Sequence, residues 1–187
     1  MSEQTSTEIR STVTSEGNVE ISIARVEKPT PSENEVLIKV EASPINPSDL
    51  GLLISFAADL DSLSVSGSGD NTVAKMKIHP GLMGAMKPRL DESMQVGNEG
   101  GGVVVDAGAN AKHLIGKTVG VAGGAMYSQY RCVSAQSCLV MEEGTTPAEA
   151  SSSFVNPLTA LAFVETMKME NHTAIINTAA ASNLGQM

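Results

Sequence analysis

The stretch Gly97-Asn98-Glu99-Gly100-Gly101-Gly102-Val103-Val104-Val105 lies near the middle of this chain of 187 residues. Its three valines are β-branched and favour a strand. The glycines before them allow a tight turn and a close approach between neighbouring strands. They precede the strand, whereas the glycines of a phosphate-binding loop follow one. The stretch therefore predicts a closely packed strand of a β domain.

Segments on both sides of this stretch also have strand patterns. Upstream, Val19–Ile23 and Val36–Ala42 alternate apolar and polar residues, as half-buried strands do. Downstream, apolar or β-branched runs occur at Thr118–Ala122, Tyr127–Val133 and Cys138–Met141. Many short strands separated by turn residues predict a mainly β domain.

Residues 46–57 and 61–95 interrupt this pattern. Asn46-Pro47-Ser48-Asp49 follows a proline-set bend, and a short helix is expected from Ser48 to Ala57. Residues 61–95 have no clean period and include the Ser- and Gly-rich segment 64–71, which favours a long loop or insertion.

The chain changes character after Gly144. Thr146 as cap, Pro147 in the first turn and Glu149 three residues after the cap predict a helix start. A second helix is expected from near Asn156 to about Met169. An apolar strand, Ala174–Ile176, then leads into small residues that end at Gly185. We therefore expect a β domain over residues 1–150 and the start of an α/β domain over residues 151–187.

Composition excludes several functions. The formal net charge is −9 and no cluster of Lys and Arg occurs, which disfavours binding to nucleic acid or an anionic membrane. No apolar stretch approaches the ~20 residues that span a bilayer, and the polar N-terminus is not a secretory signal. Two cysteines six positions apart, Cys132 and Cys138, favour reduced thiols in a cytoplasmic protein.

Five motifs occur in an order that resembles the medium-chain dehydrogenase/reductase superfamily, and most closely its zinc-independent quinone oxidoreductase branch, which includes the zeta-crystallin-like proteins. They are Ile45–Asp49, Gly97–Val104, Gly116–Val119, Asn156–Ala160 and the turn that ends at Gly185. The resemblance implies a GroES-like β-barrel catalytic domain, followed by two helices and the first strand of a truncated α/β Rossmann domain. A complete sheet of that domain needs six strands, and this chain supplies one.

The resemblance also implies that no catalytic zinc is bound. Zinc alcohol dehydrogenases have a cysteine and a histidine at two positions that are Asn46 and Asn98 here. A carboxamide is a poor zinc ligand. The three histidines, His79, His113 and His172, are far apart in sequence and are expected to be surface or loop residues.

A reductase without zinc must pass hydride to an acceptor that is already electrophilic. The resemblance implies transfer from NADPH to a quinone or another conjugated carbonyl compound, with alignment and hydrogen bonds supplied by the protein. It is compatible with a homodimer of the full-length enzyme. The resemblance does not choose NADPH over NADH from residues of this chain.

Candidate site residues follow from the matched motifs. Asn46 matches the family asparagine beside the nicotinamide, and the alternative is a structural role in its proline-rich bend. Asp49 is expected at a helix start. Thr159 matches a threonine that lies against the cofactor, and the alternative is an ordinary helical threonine. Six residues match the pyrophosphate turn, namely Ala180, Ala181, Ser182, Asn183, Leu184 and Gly185; Ala180 and Ser182 replace glycines of the fingerprint.

Two alternatives remain open. The chain could act as a non-catalytic GroES-like binding or regulatory module, a short form that uses its β-barrel alone. It could also belong to an enoyl thioester reductase, although such enzymes place a tyrosine soon after the Asn-Pro-x-Asp motif. Residues 50–95 contain no tyrosine, which favours quinone or enone reduction.

Overall fold

The computed structural model describes residues 4–187, and its main feature is a pair of five-stranded antiparallel sheets. The first sheet has the strand order β4-β5-β2-β1-β6. Its strands are β1 (Thr5–Thr14), β2 (Asn18–Glu27), β4 (Ala58–Ser66), β5 (Val73–Ile78) and β6 (Ser93–Gln95). The second sheet has the order β10-β8-β7-β3-β9. Its strands are β3 (Glu35–Ala42), β7 (Glu99–Ala107), β8 (Thr118–Ala122), β9 (Tyr130–Ser134) and β10 (Cys138–Val140).

Four α-helices accompany the sheets. They are α1 (Pro47–Leu53), α2 (Met83–Met86), α3 (Pro147–Ala150) and α4 (Val155–Met169). The predicted cap of α3 is confirmed: the Thr146 backbone N–H donates to Glu149 Oε2 at 2.8 Å. The mainly β architecture with two helices near the C-terminus is also confirmed. None of the helices in the described part of the chain has the length and apolar character needed to cross a membrane.

The glycine-rich stretch forms the centre of the second sheet. Strand β7 pairs with β3 on one side and with β8 on the other. A Cβ on Gly101 would lie 2.6 Å from the Ser151 backbone nitrogen, and one on Gly120 would lie 2.7 Å from the Ala150 carbonyl oxygen. The missing side chains therefore let the end of α3 lie directly on β7 and β8.

Each sheet contributes to its own hydrophobic cluster. The larger cluster belongs to the second sheet and contains Val36, Ile38, Val104, Ala107, Ala111, Leu114, Val119, Val121 and Met126. The smaller cluster belongs to the first sheet and contains Val13, Val19, Ala57, Met76 and Ile78. The sheets also meet directly, because the Ile9 N–H donates to the Tyr127 carbonyl at 2.8 Å and the Gln129 N–H donates to the Thr7 carbonyl at 2.9 Å.

The prediction of a long loop over residues 61–95 is wrong. This region holds most of β4 and all of β5, α2 and β6, together with short 3₁₀ turns. The pairing of β4 with β5 shifts register between Asp59 and Ser64, which interrupts the period of two that marks a strand. Strand β4 also lies at the edge of the sheet, and its Leu60, Leu63 and Val65 are exposed. It therefore has no buried face that would give its sequence an alternating apolar pattern.

The sequence also failed to indicate β1. Four residues of this strand are buried, and three of them are polar: Ser6, Glu8 and Ser11 are buried together with Val13. Hydrophobic periodicity detects a strand only when its buried face is apolar. Because the buried face of β1 is mostly polar, the sequence pattern did not indicate this ten-residue strand.

The expected strand at Ala174–Ile176 is not formed. These residues pair with no strand among residues 4–187, and Ile176 is 92% exposed. A strand needs a neighbour to satisfy its backbone groups, and apolar sequence alone does not supply one. Helix α4 matches its predicted bounds closely and ends where Asn171 adopts a positive φ of 56°.

Candidate active site

An open cleft of about 520 Å³ lies between the two sheets. Its walls come from β1, β2, β3 and the segment before β9. The apolar residues of the lining are Ile9, Ile21, Ile23, Val40, Ala42, Ile45, Leu53 and Met126. Polar groups, including Tyr127 and Gln129, join them. The cleft is thus suited to an apolar compound with a few polar atoms.

Asn46 follows the lining residue Ile45 in sequence, is not itself among the residues that line the cleft, and is only 5% exposed. It is the N-cap of α1, and its backbone N–H donates to Asp49 Oδ2 at 2.8 Å. Pro47 occupies the first turn, where a missing N–H costs nothing. The expected role of Asp49 at a helix start is confirmed.

Asp49 also joins two of the sequence motifs. Its Oδ1 accepts a hydrogen bond from the Asn98 backbone N–H at 2.8 Å, and the Asn98 side chain donates to Ser48 Oγ at 3.0 Å. Asp49 is 2% exposed, so both of its oxygens are used by backbone donors away from solvent. Hydrogen bonds therefore connect the bend at residues 45–49 to the glycine-rich stretch.

Glu99 is a buried residue whose role the sequence did not reveal. Its exposure is 0%, and its Oε1 accepts from Asn46 Nδ2 at 2.9 Å. Its Oε2 accepts from the backbone N–H groups of Phe154 and Val155 at 2.9 and 3.0 Å. The sequence pattern assigned Glu99 with its glycine neighbours to a tight turn. The signal that could have found it was a carboxylate at the start of a central strand whose next six residues are glycines and valines.

Tyr127 is the second group that the sequence did not reveal. Its hydroxyl donates to the Pro44 carbonyl at 2.9 Å, and its ring packs over Gly97, where a Cβ would lie 2.5 Å from Tyr127 Cδ1. Burial raises the pKa of Tyr127 to about 12, and the negative charges of Asp49 and Glu99 act in the same direction. The phenol therefore stays protonated and serves as a hydrogen-bond donor at neutral pH.

Thr159 is not part of this hydrogen-bonded group. Its hydroxyl donates to the Val155 carbonyl one turn earlier in α4, at 2.5 Å. Such back-bonding is common for threonine within a helix. The structure thus gives Thr159 a local role in α4, and its predicted contact with a cofactor stays a prediction.

Residues 180–185, the predicted pyrophosphate turn, form a series of turns. The Gly185 N–H donates to Ser182 Oγ at 3.1 Å, and the Gln186 N–H donates to the Ser182 carbonyl at 3.1 Å. A Cβ on Gly185 would lie 2.6 Å from the Ala180 Cα, so the turn is closed on itself. No strand forms immediately before this turn within residues 4–187, and its predicted contact with a pyrophosphate group stays a prediction.

No group of three or more His, Cys, Asp and Glu side chains in the described part of the chain has the arrangement of a metal site. Cys132 and Cys138 are free thiols. Burial raises the pKa of each to about 11, so neither is a reactive thiolate at neutral pH.

Comparison with known proteins gives matches among solved structures. No known family profile matches the chain, and no curated protein sequence matches it. A putative NADPH:quinone reductase from Mesorhizobium loti is 23% identical with a TM-score of 0.65; the alignment covers 100% of this chain and 51% of that one. A putative NADPH:quinone reductase from Bacillus thuringiensis is 24% identical with a TM-score of 0.63, covering 97% of this chain and 47% of that one.

The quinone oxidoreductase of Escherichia coli, solved in complex with NADPH, is 18% identical with a TM-score of 0.61 and covers 96% of this chain and 47% of that one. The chain thus spans about half the length of the solved structures that it matches. It has the fold of the N-terminal part of these quinone oxidoreductases, which confirms the fold that its motifs predict.

Proposed function

We propose that this chain is the acceptor-binding half of a zinc-independent, NADPH-dependent oxidoreductase that reduces a quinone or another conjugated carbonyl compound. The observation that carries the proposal is the apolar cleft of about 520 Å³ with Tyr127 in its wall and Ile45, the neighbour of Asn46, in its lining. Two of the matched structures are described as putative NADPH:quinone reductases, which supports the same class of reaction.

The residues of this chain bind and orient the acceptor. The isoleucines of β1 and β2 and the valine of β3 cover the rings of the acceptor and keep water away from it. When bound, reduced nicotinamide supplies the hydride, and the chain's own contribution is alignment and hydrogen bonding. Because hydride addition places negative charge on the acceptor oxygen, a donor beside that oxygen favours the reaction.

Two groups of the site can provide that donor. The Tyr127 phenol is protonated, and its single O–H, which donates to the Pro44 carbonyl, would have to turn from that carbonyl to the acceptor oxygen. Asn46 uses one of its two Nδ2 hydrogens on Glu99, and no second hydrogen bond from Nδ2 is formed within residues 4–187. A carboxamide in this position supplies polarity without a metal ion, in keeping with the zinc-independent proposal.

Reduction of an enone or an enoyl thioester is a second candidate, and Tyr127 is the observation that favours it. Protonation of an enolate needs a weak acid close to the acceptor. The sequence argument against this activity was the lack of a tyrosine in residues 50–95, and the folded chain brings Tyr127 to the bend at Pro44 from a distant strand segment.

A titration with NADPH tests the proposal, using this chain and a version extended through a complete second domain. We expect the extended version to bind NADPH and to oxidise it when a quinone is added, and the 187-residue chain to bind it weakly or not at all. If neither version binds NADPH, the proposed reductase is wrong and the non-catalytic binding module is favoured.

The acceptor and the metal are tested in the same samples. Oxidation of NADPH with an enone or enoyl thioester but no quinone would select the second candidate. Metal analysis is expected to find no stoichiometric zinc. One zinc ion per chain would overturn the argument drawn from Asn46 and Asn98.

A further inference from the structure

Glu99 is buried without a cationic partner. Its exposure is 0%, and none of the ion pairs formed within residues 4–187 includes it. A buried carboxylate is costly unless hydrogen bonds compensate for lost hydration. The Asn46 amide and the two backbone N–H groups at the start of α4 provide that compensation. The three donors come from two separate parts of the chain.

We infer that Glu99 is a positioning residue that sets the Asn46 carboxamide beside the acceptor cleft and ties it to the first turn of α4. A carboxylate only accepts hydrogen bonds, so the nitrogen of the carboxamide must face Glu99. The Asn46 side chain therefore has its Nδ2 directed towards Glu99 and its Oδ1 directed away from it. The inference rests on the proposed function insofar as Asn46 contacts the acceptor.

The connection to α4 uses the other carboxylate oxygen. Phe154 and Val155 donate to Oε2, while Asn46 donates to Oε1, so one planar group joins the helix and the bend. Such charge-assisted bonds at a helix start are also favoured by the helix dipole. Movement of the start of α4 therefore acts directly on the Asn46 amide.

A simpler role would be to cap α4 alone, which would leave the state of Asn46 independent of Glu99. The variant Glu99→Gln separates the two roles. A glutamine keeps the shape of the side chain, but one of its two terminal atoms becomes a donor and faces another donor. Either the α4 contact is then lost, or Asn46 must turn its carboxamide over so that Oδ1 accepts from the new amide.

The matched control is Glu149→Gln. Glu149 also accepts a backbone N–H at a helix start, from Thr146 at 2.8 Å, but it belongs to α3 and does not contact Asn46. A general loss of stability from removing a capping carboxylate will therefore appear in both variants. The two variants will differ only in effects that depend on the contact between Glu99 and Asn46.

NMR on the 187-residue chain gives the first readout. In Glu99→Gln we expect the side-chain NH₂ signal of Asn46 to shift, because Asn46 loses the carboxylate that accepts from its Nδ2. Glu149→Gln should leave these signals as in the wild type. An unshifted Asn46 signal in Glu99→Gln would overturn the positioning role.

Kinetics of the extended version give the second readout. We expect Glu99→Gln to lower kcat about tenfold while KM for the quinone stays within about twofold, because the apolar walls of the cleft are intact. Equal losses in Glu99→Gln and Glu149→Gln would overturn the inference.

Two further measurements keep the inference testable. If Glu99→Gln does not fold, Asn46→Ala removes the amide and leaves the α4 contacts; a wild-type kcat in that variant would also overturn the inference. If the wild-type extended version does not oxidise NADPH, the proposed function fails, while the NMR comparison still decides whether Glu99 links Asn46 to α4.

Discussion

The second sheet with its attached helix α3 differs sharply from the segment 155–187. Nine residues of the second-sheet cluster are buried, and Ala150 of α3 is 0% exposed. None of residues 155–187 is buried, although α4 carries Leu158, Leu161, Phe163 and Val164. Both regions have apolar sequences with clear local signals. The difference shows that such signals become a core only where long-range partners are present to pack against.

The largest effect is expected from a pair of matched isoleucine variants that test this difference. Ile38→Ala removes a fully buried side chain from the second sheet and should lower the free energy of unfolding by about 3 kcal/mol. Ile176→Ala should change it by less than about 0.5 kcal/mol, because Ile176 is exposed. Urea denaturation measures both. A large loss for Ile176→Ala would show that the C-terminal segment packs in solution.

The next largest effect concerns the glycines under α3 and along β7. A Cβ on Gly102 would lie 2.8 Å from Ile38 Cγ2 and would also meet the Lys39 carbonyl oxygen. Gly102→Ala should therefore cost about 2 kcal/mol through overpacking. Gly123→Ala is the control, since a Cβ added at Gly123 would meet no atom within 4 Å and the φ of this residue is ordinary. Equal unfolding midpoints for the two variants would contradict the close packing of β7.

A pH titration of Tyr127 gives a moderate effect. The raised pKa means that the folded protein holds this proton more tightly than the unfolded chain, so its stabilising contribution is present below pH 10 and is lost as pH rises towards about 12. In Tyr130→Phe, Tyr127 is the remaining one of two tyrosines, and its ultraviolet titration should be centred near 12. A midpoint near 10 would show an exposed phenol and would weaken its role as a buried donor.

The smallest effect is expected at the start of α3. Thr146→Ala removes one half of the capping box and should cost about 1 kcal/mol. Thr159→Ala is a useful counterpart, because the Thr159 hydroxyl bonds within α4 and its loss should have little effect on stability. Urea denaturation measures the free energy of unfolding of both variants. A greater loss of this free energy in Thr159→Ala than in Thr146→Ala would contradict the difference drawn between α3, which packs on the second sheet, and α4, which is exposed.

Much of the fold was readable from local pattern. Strands β2 and β3 alternate clearly, and the cap of α3 has all its expected residues. Strand β1 was hidden because its buried face is largely polar, and β4 because a register shift interrupts its period. These failures share one physical cause: the sequence pattern reports burial against apolar partners and is silent where hydrogen bonds or edge pairing stabilise the strand.

The candidate site was predicted less completely. The order of the motifs identified Asn46, Asp49 and the glycine-rich stretch as parts of one family pattern. In the structure, hydrogen bonds of Asp49 and Glu99 join them. Glu99 and Tyr127 were missed because their partners lie 53 and 83 residues away in sequence. The pyrophosphate turn was predicted from its small residues and its place in the motif order, and its backbone is closed by internal hydrogen bonds.

The most direct test of the proposed acceptor site is the quinone-dependent oxidation of NADPH by the extended version, with Ile23→Asp as a variant of the cleft wall. We predict steady oxidation by the wild type and a large rise in quinone KM for Ile23→Asp, because a charge would be placed in the apolar wall. Oxidation that is absent from the wild type, or unchanged in Ile23→Asp, would contradict the assignment of this cleft as the acceptor site.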